Sequence, residues 1–370
     1  MLKKIDKPLL FTTIFLIVFG IIMIYSASSI WSEYKFNDSL HYVKLQSLFG
    51  IVGIIFMFII SKVSYKFYYK KANIIILICL VLLILVLIPG IGSVRNGSRS
   101  WFGIGPLGVQ PSEAAKLGLI IFASKYLSNS REFLKSYKQG VFPILLITLF
   151  FFGLIMLQPD LGTGVILTLA IISLLFVSGV NMKFFFIMGI LGVIGIIGLI
   201  IIAPYRMARI TSFVNPWKDP LGTGFQIIQS LYAIGPGGLF GRGFGSSIQK
   251  HFYLPEPQTD FIFSIITEEF GIVGAIIIIT SFIIILYRGV KIALNSKDLF
   301  SKYLAFGMTF QIIFQAMLNL MVVSGMIPVT GVTLPFLSYG GSSLLISMMS
   351  IGILLNISKN NHWYSNVCLI

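Results

Sequence analysis

The chain has 370 residues, of which 56% are hydrophobic and 11% charged, and its mean hydropathy is +0.95. This composition leaves too little polar surface to solvate a globule of this size, so it excludes a soluble globular protein and indicates a lipid environment. The net charge is +15, and the two cysteines, Cys79 and Cys368, are too few for a disulfide framework or a thiolate metal site.

Ten apolar runs follow one another along the chain. A helix that crosses a hydrocarbon core of about 30 Å needs about 20 mostly apolar residues. The fourth run departs most from this pattern because it carries three charged side chains. We predict an all-α polytopic membrane protein of about ten transmembrane helices in a single domain, 1–370, with runs at 8–30, 44–62, 72–90, 112–129, 141–157, 160–180, 182–203, 260–287, 303–325 and 334–357.

The first run follows three lysines, as the apolar region of a secretory signal would. Its apolar stretch from Leu9 to Ile24 exceeds the roughly 7 to 15 residues that are typical of a signal peptide. We therefore predict an uncleaved membrane anchor.

The basic residues sort by side of the membrane once these helices are placed. With the N-terminus inside, the inner segments hold 17 of the 27 basic residues but only three acids, Asp6, Glu132 and Asp298. Because Lys and Arg concentrate in cytoplasmic segments, both termini are predicted to be cytoplasmic, and a nucleic-acid partner is not needed to explain the charge. The 17 are Lys3, Lys4, Lys7, Lys62, Lys66, Lys70, Lys71, Lys125, Arg131, Lys135, Lys138, Lys183, Arg288, Lys291, Lys297, Lys302 and Lys359.

The segment 204–259 is the longest polar connection and falls on the outer side between the seventh and eighth helices. It is rich in Gly and Pro and cannot form a long regular helix. Its glycines would let backbone amides approach a phosphate or a sugar, although a flexible outer loop with turns explains the same composition. Functional residues are often carried by long loops, so we predict that the functional site lies on the outer side of the membrane.

Six acidic residues lie at or just inside the outer helix ends: Glu113, Asp160, Glu256, Asp260, Glu268 and Glu269. Glu268 lies eight residues after Asp260, about 12 Å deeper on the same helical face. A carboxylate inside a bilayer faces a bundle interior or a wet cavity. Glu268 and Glu269 could therefore also be the acidic partners in a structural ion pair with a cation. Asp260 lies at the mouth, where it can stay ionised and reach a substrate.

Two helix starts carry further polar residues, at Gln110–Lys116 and at Gln158–Gly164. Proline and a first-turn acid favour a helix start, which is the structural explanation for both. Cations on the same side suit a phosphorylated substrate attacked with the help of a general base. They are Arg95, Arg99, Arg206, Arg209 and Lys250; the three histidines show no metal-ligand spacing.

Five blocks stand out together: Gln110–Lys116, Gln158–Thr163, Gly224–Ser230, Tyr253–Phe261 and Pro328–Ser343. With these blocks the chain resembles the SEDS family of FtsW, RodA and SpoVE over residues 8 to about 358. The last two blocks are highly specific to the family, and the fourth resembles its sporulation and division members more than its elongation members. The family fold, ten transmembrane helices with a large outer loop between helices 7 and 8, agrees with the helix count above.

The resemblance implies a peptidoglycan glycosyltransferase of the cytoplasmic membrane that polymerises lipid II at the outer face, for division or spore cortex synthesis. Its implied partners are lipid II, membrane lipid and a class B penicillin-binding protein that acts as transpeptidase. No cofactor is implied, and a need for a divalent cation is left open. The family's essential aspartate falls on Asp260, and its substrate-binding positions fall on Glu113, Lys116, Arg99, Asp160, Lys250 and Glu268.

The implied reaction is attack by a sugar hydroxyl of the acceptor on the anomeric carbon of the donor, with inversion and loss of undecaprenyl pyrophosphate. Asp260 is the expected general base, and Lys116, Arg99 and Lys250 are expected to stabilise the leaving pyrophosphate. Two alternatives are a lipid II flippase, which broken helices and midplane charges would favour, and a scaffold for the penicillin-binding protein. The outer clustering of the acids favours the enzyme.

Overall fold

The computed structural model describes residues 5–95, 97–103, 108–129, 137–202 and 204–359. Five residues that were predicted to be cytoplasmic lie outside the described residues: Lys3, Lys4, Arg131, Glu132 and Lys135. The side chains of Lys138 and Arg206 and the tail after Lys359 also lie outside the described part of the structure.

The described part of the chain is almost entirely helical. Twelve α-helices are joined by a π-helical turn at Tyr137–Val141, two short 3₁₀ turns at Pro216–Lys218 and Gly235–Gly237, and one antiparallel hairpin of β1 (Ser93–Arg95) and β2 (Ser98–Trp101). The helices are α1 (Lys7–Phe36), α2 (His41–Lys62), α3 (Tyr65–Leu85), α4 (Pro111–Asn129), α5 (Phe142–Met156), α6 (Leu161–Val177), α7 (Met182–Ile202), α8 (Pro204–Val214), α9 (Phe225–Ile234), α10 (Ile262–Leu294), α11 (Leu299–Val323) and α12 (Gly341–Ser358).

The membrane character of the chain is confirmed by these helices. A helix lies in each of the ten apolar runs, while α8 and α9 lie in the segment 204–259. By length and composition, seven helices among the described residues could cross a membrane: α1, α2, α3, α5 with the end of the π-helical turn, α10, α11 and α12. The apolar helix α6 and the apolar part of α7 are shorter, and α4 carries the charges noted above. The chain is therefore a multi-pass helical membrane protein.

The centre of the bundle is formed by α4 and α11. Helix α4 packs against α3, α6, α11 and α12, and α11 packs also against α6, α10 and α12. Both helices are buried along most of their length, whereas α7 packs mainly on α8 and exposes most of its apolar side chains. Polar residues on α4 and α11 therefore lie inside the protein, and those side chains must find partners within it.

Helix α10 does not run continuously, contrary to the expectation from its unbroken apolar sequence. Gly271 has φ +63°, and a Cβ atom there would lie 2.5 Å from Gly241 N and from Leu239 O. The backbone of 238–243 fills the break: Ile272 N and Val273 N donate to the carbonyls of Gly238 (2.9 Å) and Leu239 (3.1 Å). The break thus exists because a distant segment satisfies the freed backbone groups.

We expect Gly271→Ala to lower the apparent melting temperature of the detergent-solubilised protein. The left-handed backbone alone costs a non-glycine residue about 1–3 kcal/mol, and the added methyl group also meets the inserted backbone. Gly189→Ala in α7 is the matched control, because nothing lies within 4 Å of a Cβ at that position. Equal melting temperatures for Gly271→Ala and the wild type would contradict the insertion of the 238–243 backbone at Gly271.

Candidate active site

Asp260 lies in the turn that precedes α10 and is half-buried. Burial raises the pKa of its carboxyl group above the ordinary aspartate value, and the charge of Glu256 raises it further, while the hydrogen bond from Thr259 and the nearby Arg209 lower it. Thr259 Oγ1 lies 3.0 Å from Asp260 Oδ1, but its single proton is shared with Glu256 O at 2.7 Å. Asp260 is therefore a weakly solvated carboxylate with few donors, which makes it a better base than an exposed aspartate.

The connection between α11 and α12, residues 324–340, packs over this turn and is called the strap. Tyr339 N donates to Gln258 O at 2.8 Å, and Arg209 Nη1 donates to Val329 O at 3.0 Å. Gln46 Nε2 of α2 donates to Ser338 O at 3.0 Å. The strap therefore ties α2, α8 and the Asp260 turn together at one end of the bundle.

Glu113 and Lys116 form a buried ion pair on α4. Lys116 Nζ lies 3.0 Å from Glu113 Oε1 and 2.9 Å from Gln315 Oε1 of α11, and the two charged residues are 1% and 5% exposed, respectively. Gln315 Nε2 in turn donates to Thr333 O of the strap (3.1 Å) and to Ser343 Oγ (2.9 Å). The charge of Lys116 is thus balanced within the bundle, and Glu113 Oε2 is buried without a partner in the described structure.

Glu268 anchors the segment that follows the inserted backbone. Its carboxylate accepts hydrogen bonds from Ser247 Oγ (2.5 Å), Ile248 N (2.8 Å) and Gln249 N (3.4 Å). These donors account for the charge of Glu268 without a substrate.

Glu269 and Lys250 make a second, fully internal cluster. Glu269 Oε1 accepts from Ser26 Oγ of α1 at 2.6 Å and lies 3.4 Å from Lys250 Nζ, which also donates to Gly245 O at 2.5 Å. The contact of Glu269 with Lys250 fits the structural ion pair considered for the two glutamates, whereas Glu268 is held by hydroxyl and backbone donors. These contacts explain Lys250 and Glu268 without a substrate. A substrate-binding role for the two residues therefore stays a prediction.

The hairpin side of the site holds Asp160 and Arg99. Asp160 Oδ1 accepts from Thr163 N (3.0 Å) as the N-cap of α6, and its Oδ2 accepts from Gln110 Nε2 (2.8 Å). Both oxygens therefore have structural donors. Arg99 on β2 is half-buried, and its side chain makes no hydrogen bond or ion pair to other residues that the structure describes, so its guanidinium group can bind an anion.

A polar stripe on α11 was missed in the sequence. Gln311, Gln315 and Asn319 recur every four residues and are all buried. Polar side chains at that spacing inside an apolar run share one helix face, and inside a bilayer such residues are functional candidates. That signal was present in the run 303–325.

No metal site is formed by the side chains that the structure describes: none of their His, Cys, Asp and Glu residues form a group of three or more.

Known proteins match this chain over almost its whole length. The family model for FtsW, RodA and SpoVE, described as cell cycle protein, matches residues 7–363. Stage V sporulation protein E of Bacillus subtilis is 51% identical over 97% of this chain and 98% of its own length. A probable peptidoglycan glycosyltransferase FtsW of Geobacter sp. strain M18 is 40% identical over 95% of this chain and 96% of its own length.

Two solved structures share the fold. One chain belongs to a peptidoglycan synthase complex that was studied for its coordination of polymerization and crosslinking; it is 29% identical, with a TM-score of 0.79 over 97% of this chain and 99% of that chain. The other is the rod shape determining protein RodA of Thermus thermophilus, which is 28% identical with a TM-score of 0.72 over 97% of this chain and 98% of that chain.

Proposed function

The chain belongs to the FtsW, RodA and SpoVE family and is a peptidoglycan glycosyltransferase, and on that premise we propose that it polymerises lipid II with Asp260 as general base. The contacts of the acidic residues support this choice of base. Asp160, Glu268 and Glu269 accept structural hydrogen bonds, and Glu113 is paired with Lys116. Asp260, by contrast, has only the shared hydroxyl of Thr259 as a side-chain donor to its carboxylate within the described structure.

The proposed reaction joins two lipid-linked disaccharides. The 4-hydroxyl oxygen of the acceptor sugar forms a bond to the anomeric carbon of the donor while the bond from that carbon to the pyrophosphate breaks. The hydroxyl proton passes to Asp260, and the electron pair leaves with undecaprenyl pyrophosphate, so the anomeric configuration inverts. A pyrophosphate leaves without protonation by a second acid, which is why one carboxylate is sufficient.

Of the three cations that the resemblance implies for the leaving pyrophosphate, Arg99 is the one whose side chain has no ion-pair partner within the described structure. Preorganised positive charge stabilises developing negative charge most strongly when no other group already neutralises it. Lys116 and Lys250, which the sequence suggested for the same task, are held by Glu113 and by Gly245 and Glu269. We therefore assign them to the support of the site and Arg99 to the substrate.

The membrane arrangement is part of the proposal. Helices α4, α6 and α7 complete about ten transmembrane spans together with the seven candidate helices named above. Both termini are cytoplasmic, and the segment 204–259 lies outside between the seventh and eighth spans, on the side of the active site. The polyprenyl tails of the substrates lie in the membrane between the helices. The partner is a class B penicillin-binding protein, and the process is division or spore cortex synthesis.

The flippase alternative gains one feature, the break in α10, because broken helices are typical of transporters. In this chain, however, the break is filled by the backbone of 238–243. Polar contacts also join the predicted cytoplasmic ends of the helices. Arg288 forms a bidentate pair with Asp6, with Nη2 to Oδ2 at 2.5 Å, and Tyr65 Oη donates to Asp298 Oδ2 at 2.6 Å. These bonds join the start of α1 to α10 and the start of α3 to the start of α11 in this conformation, so they favour the enzyme over an inward path. A scaffold would tolerate the loss of Asp260.

The pH dependence of polymerisation tests the role of Asp260. Only the ionised carboxylate can accept a proton, and burial raises the pKa of Asp260 above 3.8, so kcat/KM should fall on acidification with a midpoint above that value. Rates of lipid II polymerisation between pH 4 and 8 give this midpoint. Asp219→Asn, which changes an exposed acid in the segment 204–259, should leave the midpoint unchanged. A rate that stays constant down to pH 4 would count against Asp260.

A further inference from the structure

Asn319 is a buried amide one turn before the end of α11, and it is 1% exposed. Its Nδ2 donates one hydrogen to Asp260 O at 2.6 Å and the other to Val332 O of the strap at 2.7 Å. Both amide protons are therefore used, and they join the turn that carries the proposed base to the strap that covers it.

The orientation of this amide follows from its partners. Two carbonyl oxygens can be satisfied only by the NH₂ side of the group, so rotation by 180° would set three oxygens against one another. In this orientation Asn319 Oδ1 is buried without a partner in the described structure. An unsatisfied buried acceptor lowers the stability of the folded protein, so this cost accompanies the two bonds that Asn319 makes to the carbonyls.

Asp260 depends on its backbone for its position. Its carboxylate accepts from the Thr259 hydroxyl, which Glu256 O also attracts, and no other side chain donates to it within the described structure. Its backbone carbonyl, in contrast, has a short bond to Asn319, and the neighbouring Gln258 O accepts from Tyr339 N of the strap. The two bonds fix the turn on both sides of Asp260, and the side chain follows the turn.

We propose that Asn319 is a positioning residue for glycosyl transfer: it holds the Asp260 turn in register with the strap, so that the carboxylate meets the acceptor hydroxyl. This inference rests on the proposed role of Asp260. It predicts a loss of kcat rather than of substrate affinity, because Asn319 is 1% exposed and both its amide protons are bonded to backbone carbonyls, so it offers no donor to a substrate. A displacement of about 1 Å at a reacting group can cost about 100-fold in rate.

The test compares Asn319→Ala with Asn356→Ala in the full chain, bound to its inactivated transpeptidase. Asn356 is the matched control, since it is 5% exposed on α12, donates to Ser61 O at 2.9 Å and accepts from Tyr65 N at 3.0 Å, all remote from Asp260. We expect kcat for lipid II polymerisation per folded molecule to fall about tenfold or more in Asn319→Ala, with KM within about twofold. Asn356→Ala should lose a similar amount of thermal stability and retain kcat.

Asn319→Asp gives a second variant of nearly the same size, in which oxygen replaces the donor group, and it should lose kcat as well. The inference is overturned if Asn319→Ala and Asn356→Ala have equal kcat per folded molecule, or if Asn319→Ala raises KM at unchanged kcat. Asp260→Asn measured in parallel separates the two proposals. If Asp260→Asn is active, the base assignment fails; if it is inactive while Asn319→Ala is fully active, only the positioning role fails.

Discussion

Asp260→Asn should abolish polymerisation while the protein stays folded. General base catalysis contributes about 100- to 10,000-fold, so the rate per folded molecule should fall by at least about 100-fold. Asparagine has nearly the same shape, keeps the backbone bond from Asn319 and cannot accept the proton. The measurement is the rate of glycan formation from labelled lipid II, normalised to monodisperse protein.

The stability of the same variant separates catalysis from folding. Because burial raises the pKa of Asp260, the ionised form costs folding free energy at pH values above that pKa. At neutral pH the asparagine variant loses this cost, so its apparent melting temperature should equal or exceed that of the wild type. Asp219→Asn, at an exposed acid, should retain activity. A drop in melting temperature that parallels the loss of activity would show that Asp260 acts through structure.

Removal of Lys116 should destabilise the protein more than any other single change considered above. Lys116→Met leaves the Glu113 carboxylate buried without its cation, which typically costs about 3–5 kcal/mol. The double variant Glu113→Gln/Lys116→Met removes both charges and should recover most of the loss. Apparent melting temperature and the yield of monodisperse protein measure both effects.

The exposed pair Lys44 and Asp38 provides the control for this series. These side chains are 64% and 35% exposed, and exposed pairs contribute little, so Lys44→Met should change the melting temperature only slightly. Tolerance of Lys116→Met, or a double variant as unstable as the single one, would contradict a buried charge pair. If the double variant is stable but slow, Lys116 also serves the reaction.

Helix positions were largely predictable because apolar length is a local property of the sequence. The break at Gly271 was not predictable, since glycine occurs inside many helices and only the distant segment 238–243 decides that the helix opens there. The hairpin Ser93–Trp101 escaped notice for a related reason: it is a short polar element in a connection that the apolar pattern does not describe.

Within the site, the sequence predicted Asp260 from its place at the outer end of an apolar run. The same pattern could not show that Glu268 and Glu269 hold other parts of the chain, because the partner of Glu269, Ser26, is 243 residues away. Gln315 and Asn319 were predictable in principle, as polar residues one turn apart in an apolar helix. Their partners, Lys116 and the Asp260 carbonyl, are tertiary contacts that only the fold reveals.

The most direct test of the central claim is the fate of labelled lipid II with the purified chain and its inactivated transpeptidase, in liposomes that contain substrate on both leaflets. We expect glycan strands from the wild type and none from Asp260→Asn. Lipid II that crosses the bilayer without polymer, from a complex shown to be folded, would contradict the enzyme and support the flippase.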